Sequence, residues 1–484
     1  MLLPLHAAQA VTVERPTIQG VGASFPQIEI EQWRADVKRL YDLNVNYTAL
    51  GSGAGRSQFI GGQPDFGVSD IQFLPNEATQ VRRPFAYVPI SAGGLAMMYH
   101  LKDSSGQLVR DVKLTAETVC KIFAGQITSW NDPAIAGPTG HALKDLPITA
   151  VHRADAAGTS WVLGEYCLEK APAVYNKLLD DYDRANPRNP TNRPLTENWP
   201  RISGFAAEGS NGIADAVAAA DGEGRITAVE FGFAKIRRFP AASVRNASGV
   251  FTQPTEENVT RALQYAEVRA NGTHQLHFNG AGNDIYFPSS YSYAIVPTGS
   301  IDPARGFVLA SFLNYSVTKG QEKAKLLGYA ALSANLVTAG LDAVAKIPGA
   351  PPRPADIDFN PVDGPSGAGS TAAGRTTTGG TSASRPGAAT ATRTAARAPA
   401  TGAGASAANA VRSVPAVDPS VDLSVGAFGA TGGEQAIEAA VGAALVVAGE
   451  LLRRRRWRPA SAASHRGGHR GGRHRYRIWS GRPW

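Results

Sequence analysis

Over residues 13–346 the chain alternates short apolar runs with segments of helical spacing, and this alternation narrows the possible folds most. Val45-Asn46-Tyr47-Thr48-Ala49-Leu50 alternates side chains as a strand does. Phe66-Gly67-Val68-Ser69 is a short apolar run with Asp70 directly behind it, and residues 92–99 read as a buried strand. Residues 115–123, 160–169, 307–313 and 321–327 carry helical spacing. Strands alternating with helices predict an α/β fold with largely parallel sheets. Open sheets of this kind bind ligands at the carboxyl ends of their strands, so the residues that follow each strand are where a site is sought.

The alternation stops near residue 348. Over residues 349–434 Pro, Gly, Ala, Ser, Thr and Arg dominate and large apolar residues are scarce. A segment of that composition cannot bury enough surface to offset its ordering entropy and is expected to be a disordered linker. Residues 435–456 follow, an apolar stretch closed by Arg453-Arg454-Arg455-Arg456. It is short for a spanning helix, although the Arg cluster suits the cytoplasmic side of one. Phe428-Gly429-Ala430-Thr431-Gly432 stands just before it and looks like a degenerate sortase signal. A sorting signal, a membrane anchor and a soluble amphipathic helix all fit. Residues 457–484 read as a basic tail. At the other end, Met1 to Leu5 is apolar and Ala8-Gln9-Ala10 fits a small-x-small cleavage rule, so residues 1–12 read as a residual signal-peptide-like segment.

The formal charge of +8 is unevenly placed. From Pro351 onward there are 17 Arg, no Lys and 8 Asp+Glu, whereas the first 350 residues hold 31 Lys+Arg against 32 Asp+Glu. The part expected to fold is near neutral and offers no basic face for nucleic acid. Cys120 and Cys167 have no zinc-type spacing. They read equally as two buried thiols or, in an exported protein, as one disulfide.

Four segments carry the candidate chemistry. Gly20-Val21-Gly22-Ala23-Ser24-Phe25-Pro26 leads into an amphipathic stretch, with Ser24 placed as an N-cap. Gly51-Ser52-Gly53-Ala54-Gly55-Arg56 joins a strand to a helix and leaves backbone N–H groups over the helix end. It is neither a dinucleotide fingerprint nor a P-loop nor a nucleophile elbow. Asp70 ends a strand. Val151-His152-Arg153-Ala154-Asp155-Ala156-Ala157-Gly158-Thr159-Ser160 ends a strand in Arg-x-Asp and opens a helix with Gly-Thr-Ser. Arg153 can form paired charge-assisted bonds to an oxyanion while Asp155 holds the guanidinium. Each segment alone has a plainer reading: a helix start, a surface turn, a capping Asp, a surface ion pair.

Taken in order and spacing, the four segments resemble the phosphate-binding protein (PstS type) of bacterial high-affinity phosphate importers. The resemblance spans about residues 20–347 and includes Trp130-Asn131-Asp132, Gly209-Ser210-Asn211-Gly212-Ile213, Phe287-Pro288 and residues 291–297. It implies a two-lobed periplasmic-binding-protein-like clamshell over residues 13–348. One lobe would comprise 16–92 and 290–347, the other 93–289, with crossings near Val88-Pro89-Ile90 and Tyr293-Ala294. It makes Ser24, Phe25 (through backbone), Ser52, Gly158 and Thr159 donors to phosphate. Asp70 would accept the phosphate proton, Arg153 would pair with the anion and Asp155 would orient Arg153. Ala157 departs from the family, which commonly has a donor Ser there.

The implied function is an extracytoplasmic receptor, monomeric and without cofactor or metal. It would capture inorganic phosphate by lobe closure and deliver it to the permease subunits of an ABC importer, anchored to membrane or wall by the C-terminal segment. The alternative is a surface-anchored binder of another oxyanion or ligand with a sensing or adhesion role. An enzyme is not expected, because His6, His100, His141 and His152 show no ligand spacing and no Ser stands in a nucleophile motif.

Overall fold

The computed structural model describes residues 15–191 and 193–354. The signal-peptide-like segment, the linker beyond residue 354, the apolar segment and the basic tail lie outside the described residues. Among the described residues no helix is long and apolar enough to cross a membrane.

Eight strands form one sheet. In chain order they are β1 (Ile18–Gly22), β2 (Val45–Ala49), β3 (Phe66–Ser69), β4 (Phe85–Tyr99), β5 (Thr149–Arg153), β6 (Phe205–Ala207), β7 (Arg225–Glu230) and β8 (Ser289–Pro297). Their order across the sheet is β2-β1-β3-β8-β4-β7-β5-β6. β1 lies parallel to β2 and β3, and β5 parallel to β6 and β7. The two parallel halves are joined by the antiparallel pair β4 and β8. β4 pairs with β8 from Phe85 to Gly94 and then with β7 from Leu95 to Tyr99. Each half therefore offers the carboxyl ends of three parallel strands, and the chain passes between halves along β4 and returns along β8.

That passage is irregular. Ser292 faces Ser91 but Tyr293 faces Pro89, so Ile90 is an extra residue on β4. Such a bulge bends its strand and tolerates a proline, which has no N–H for the ladder. The expected strand over residues 92–99 thus extends back to Phe85. Nearly every residue of β4, and all of β8, is buried. Strands covered on both faces lack the alternation that marks a strand end.

The helices follow the expected spacing with one correction. Four of them start at the sheet's carboxyl edge: α1 (Gln27–Tyr41), α2 (Ser52–Ile60), α3 (Gly158–Lys170) and α4 (Gly209–Ala218). The stretch 115–123 becomes helix Ala116–Phe123, whose N-cap Thr115 accepts from the Thr118 N–H. Residues 307–313 lie inside helix Pro303–Val317. Residues 321–327 do not make one helix. A 3₁₀ turn at Lys319–Lys323 passes into a single α turn at Ala324–Leu327, which Gly328 ends at φ +86°. Of the two readings for the cysteines, the structure has the disulfide: Cys120 on Ala116–Phe123 is bonded to Cys167 on α3.

Candidate functional site: an anion cradle at the carboxyl edge

The residues that follow six strands converge. After β1 comes Ser24, after β2 Ser52 at the start of α2, and after β3 Asp70. Arg153 ends β5, Ser210 begins α4 after β6, and Glu230 ends β7. Ser24, Ser52, Thr159, Ser210 and Glu230 are at most 2 % exposed, Asp70 5 % and Arg153 7 %.

Arg153 is held from behind and from the side. Its Nε donates to Asp155 Oδ1 at 2.8 Å, and its Nη2 donates to Asp155 Oδ2 in a second, very short bond. Asp155 Oδ1 also accepts the Gly209 N–H at 2.9 Å. Burial alone would raise the Asp155 carboxyl, but the guanidinium and that N–H outweigh it and hold the pKa below the usual range. Asp155 is therefore a fixed anion that orients Arg153. The free side of the guanidinium, Nη1, lies 3.4 Å from Thr159 Oγ1 and 3.5 Å from Ser210 Oγ.

Helix starts meet at the cradle, and α3 leaves amides free. In α3 the Ser160 and Trp161 N–H groups both go to the Ala157 carbonyl, and the Gly158 and Thr159 N–H groups, as the first of the helix, have no intrahelical partner. Ser24 Oγ accepts the Ser210 N–H at 2.9 Å and lies 2.8 Å from Ser210 Oγ. This bond links the starts of the α1 and α4 segments across the two halves. Ser52 opens α2, where its hydroxyl meets Asp70.

Two further carboxyl groups stand among these donors. Asp70 Oδ1 accepts from Ser292 Oγ at 2.7 Å and Oδ2 from Ser52 Oγ at 3.1 Å. Burial pushes the Asp70 carboxyl up to about 7, with Glu230 adding to the rise while Ser292, Ser52 and Arg153 oppose it. Glu230 is fully buried, and burial raises its pKa too. Its Oε1 accepts from Thr159 Oγ1 at 2.9 Å.

The two halves touch at the cradle. A Cβ on Gly158 would stand 2.6 Å from both Asp70 Cβ and Ser52 Oγ. Gly51, at φ +94°, has no room for a side chain against the Asp155 carboxylate. Glycine at these two positions lets the backbone approach the facing groups closely. The Gly53 N–H then donates to the Ala156 carbonyl at 3.0 Å. Beside this contact Arg56, fully buried, joins one carboxylate from each half. Its Nη1 reaches Glu197 Oε1 at 2.8 Å and its Nε reaches Glu77 Oε2 at 2.7 Å.

The structure thus brings Ser24, Ser52, Asp70, Arg153, Asp155, Gly158 and Thr159 together. Phe25 is adjacent, its ring in the core and its carbonyl accepting from Tyr329 Oη at 2.7 Å. One expectation is corrected: Ser24 is not an N-cap. Pro26 occupies that position, α1 starts at Gln27, and the Ser24 hydroxyl turns to Ser210 instead. Ala157 is the N-cap of α3 and makes no side-chain cap bond. His152 is a core residue. It stacks on Trp199 with ring centroids 6.0 Å apart, and burial, with Arg201 nearby, lowers its pKa to about 4. Ser210, Glu230, Ser292 and the Arg56–Glu197 pair were not identified from sequence. For Glu230 a signal existed, since an acidic residue ends the apolar run Ile226-Thr227-Ala228-Val229.

A two-half sheet with an anion cradle at the seam is the architecture of a solute-binding protein. A family model described as a PBP superfamily domain matches residues 7–319, and the chain belongs to that superfamily. Its relatives there include the phosphate-binding protein PstS of Xylella fastidiosa, 29% identical over 338 residues that make up 69% of this chain and 85% of that protein. PstS of Pasteurella multocida is 28% identical and covers 70% of this chain and 92% of its own length. Among solved structures, the phosphate-binding protein of Stenotrophomonas maltophilia aligns with a TM-score of 0.52 at 18% identity, covering 69% of this chain and 96% of that one. The high-affinity periplasmic phosphate-binding protein PfluDING, solved with phosphate, aligns with a TM-score of 0.52 at 19% identity, covering 67% and 92%. At such identities the structural likeness speaks for the fold alone.

Proposed function

We propose that this chain is an extracytoplasmic receptor that captures inorganic phosphate and delivers it to the permease subunits of an ABC importer. The observation that carries the reading is the pairing of Arg153 with Asp70 in one buried cradle. An anion needs the guanidinium and the helix-start donors. Once ionised, a carboxylate beside them suits an anion that itself carries a proton. Phosphate near neutral pH does and sulfate does not, so above its own pKa of about 7 Asp70 accepts from phosphate and turns sulfate away. The PstS relatives and the matching order of motifs support the same ligand.

In this reading Ser24, the Phe25 amide, Ser52, Gly158 and Thr159 donate to the anion, and Asp155 orients Arg153. Capture proceeds by closure of one lobe, residues 16–92 and 290–347, on the other, 93–289. The bulge at Ile90 and the facing Tyr293 serve as the hinge, and the segment after residue 348 tethers the receptor to membrane or wall. Equilibrium dialysis of the full chain, freed of bound anion, against labelled phosphate tests this. The intact chain should bind with a micromolar or lower Kd, and Arg153→Ala should weaken binding by at least about 100-fold, as expected for loss of a paired charged contact. Equal binding by both proteins contradicts the assignment of the site.

A further inference from the structure

Thr159 has one hydroxyl proton and two claimants for it. In the structure the hydroxyl donates to Glu230 Oε1 at 2.9 Å, which leaves only lone pairs for whatever sits against Arg153. A threonine committed in this way offers an anion nothing but its amide. Glu230 itself is poorly served as a carboxylate: its Oε2 is buried and has no hydrogen-bond partner among the described residues. A bare carboxylate oxygen, buried beside a place made for an anion, is the costliest state the pair can adopt.

One proton resolves both problems. A neutral carboxylic acid donates as well as accepts, and the same oxygen–oxygen separation serves a bond in either direction. We propose that Glu230 is a positioning residue of the cradle: in its neutral form it donates to Thr159 Oγ1 and thereby turns the threonine proton toward the bound anion. The charged form reverses the bond and removes that donor. The inference rests on the phosphate reading of the cradle and adds a determinant of affinity that does not itself touch the ligand.

The charged and titratable groups around Glu230 are few. The Ser210 hydroxyl, Arg153 and Thr159 favour its charged form; Asp70, just after β3, opposes it, and the Tyr329 phenol, from the segment before helix Ala334–Val344, stays neutral because burial raises it. Burial outweighs the Ser210 hydroxyl and Arg153 together and raises the carboxyl above its usual range. The neutral form is thus accessible to the empty protein, and an anion arriving beside it favours it further.

The test is the phosphate Kd of the full chain from pH 5 to pH 9, measured for wild type, Glu230→Gln, Thr159→Val and the double variant. Glutamine is a permanent donor to Thr159. Comparing proteins at each pH cancels the ionisation of phosphate itself. The ratio of wild-type to Glu230→Gln Kd should lie near about one at the acid end and rise about tenfold per pH unit once Glu230 ionises, the signature of one linked proton. In the Thr159→Val background the Gln substitution should leave the pH profile unchanged. Glu230→Gln weakening binding by the same factor at every pH, with an unaltered melting temperature, overturns the inference while leaving the phosphate reading intact. Failure of wild type to bind phosphate at any pH overturns both.

Discussion

Asp70 holds its proton toward neutral pH because burial outweighs the bonds from Ser292 and Ser52, and this has a measurable consequence for the empty protein. In the unfolded chain an aspartate ionises near about 3.9. In the fold the carboxyl titrates at about 7. Between those values the native state keeps a proton that the unfolded state has lost, so stability from this group is full below about pH 4 and is lost as pH rises through about 7. Without ligand, Asp70→Asn should be more stable than wild type at pH 8, by on the order of a few kcal/mol, with the gap closing toward pH 4. Urea titrations at the two pH values measure this. A gap of constant size would mean that Asp70 ionises normally.

Which site residues could be read from sequence follows from how local their signal is. Arg153 and Asp155 are two positions apart at a strand end, so their pairing is written into adjacent residues. Asp70 follows its strand directly. Ser210, Glu230 and Ser292 come from three distant segments and meet only because β6, β7 and β8 take particular places in the sheet. A lone serine at a helix start or inside a buried strand looks the same whether or not it faces a ligand.

At the scale of elements, α3 carries Gly158 and Thr159 at its first turn and begins without a side-chain cap. Ala157 has φ −110° and ψ 129°, the extended backbone that a capping serine adopts. Its methyl is buried at the cradle, next to the unpaired amides of Gly158 and Thr159. Ala157→Ser should therefore tighten phosphate binding by about tenfold or more, the worth of one charged hydrogen bond. A raised melting temperature with unchanged affinity would show instead that the new hydroxyl caps the helix, worth about 1 kcal/mol. The ends of elements were less legible than their existence. β4 was foreseen only over its last eight residues, because burial on both faces hides where it begins, and Pro89 argues locally against a strand. The helical spacing of 321–327 was real, but Gly328 stops the chain before an α-helix of useful length forms.

For the whole molecule, the question is what holds the two halves together around an anion. Direct contacts at the cradle include the Ser24–Ser210 bond and the close approach of Gly158 to Ser52. Beside them Arg56 keeps Glu77 and Ser69 on its own half whatever the other half does, whereas its bonds to Glu197 exist only when the halves meet. Truncating one partner of a buried charge pair leaves the other poorly solvated, and under the proposed closure the loss would fall on the closed form. Glu197→Gln should raise the phosphate Kd by about tenfold or more although residue 197 does not reach the ligand. Small-angle scattering at subsaturating phosphate should show a larger radius of gyration than wild type. An unchanged Kd and radius would mean that the pair stabilises the fold without regard to closure.

The α/β class was legible because strand–helix alternation runs along some 330 residues, so no single misplaced boundary matters, whereas the paired-lobe plan was implied only by the family resemblance that the motif order carries. The central claim is narrower, that Asp70 makes this cradle choose a protonated oxyanion. Calorimetric titration of the anion-free full chain with phosphate and then sulfate, in wild type and in Asp70→Asn, tests it most directly. At pH 8, above the Asp70 pKa of about 7, the account predicts strong preference for phosphate in wild type and a marked gain of sulfate binding in the asparagine variant, whose amide can donate where the carboxylate could only repel. Equal binding of the two anions by wild type, or no change in their ratio on substitution, would contradict it.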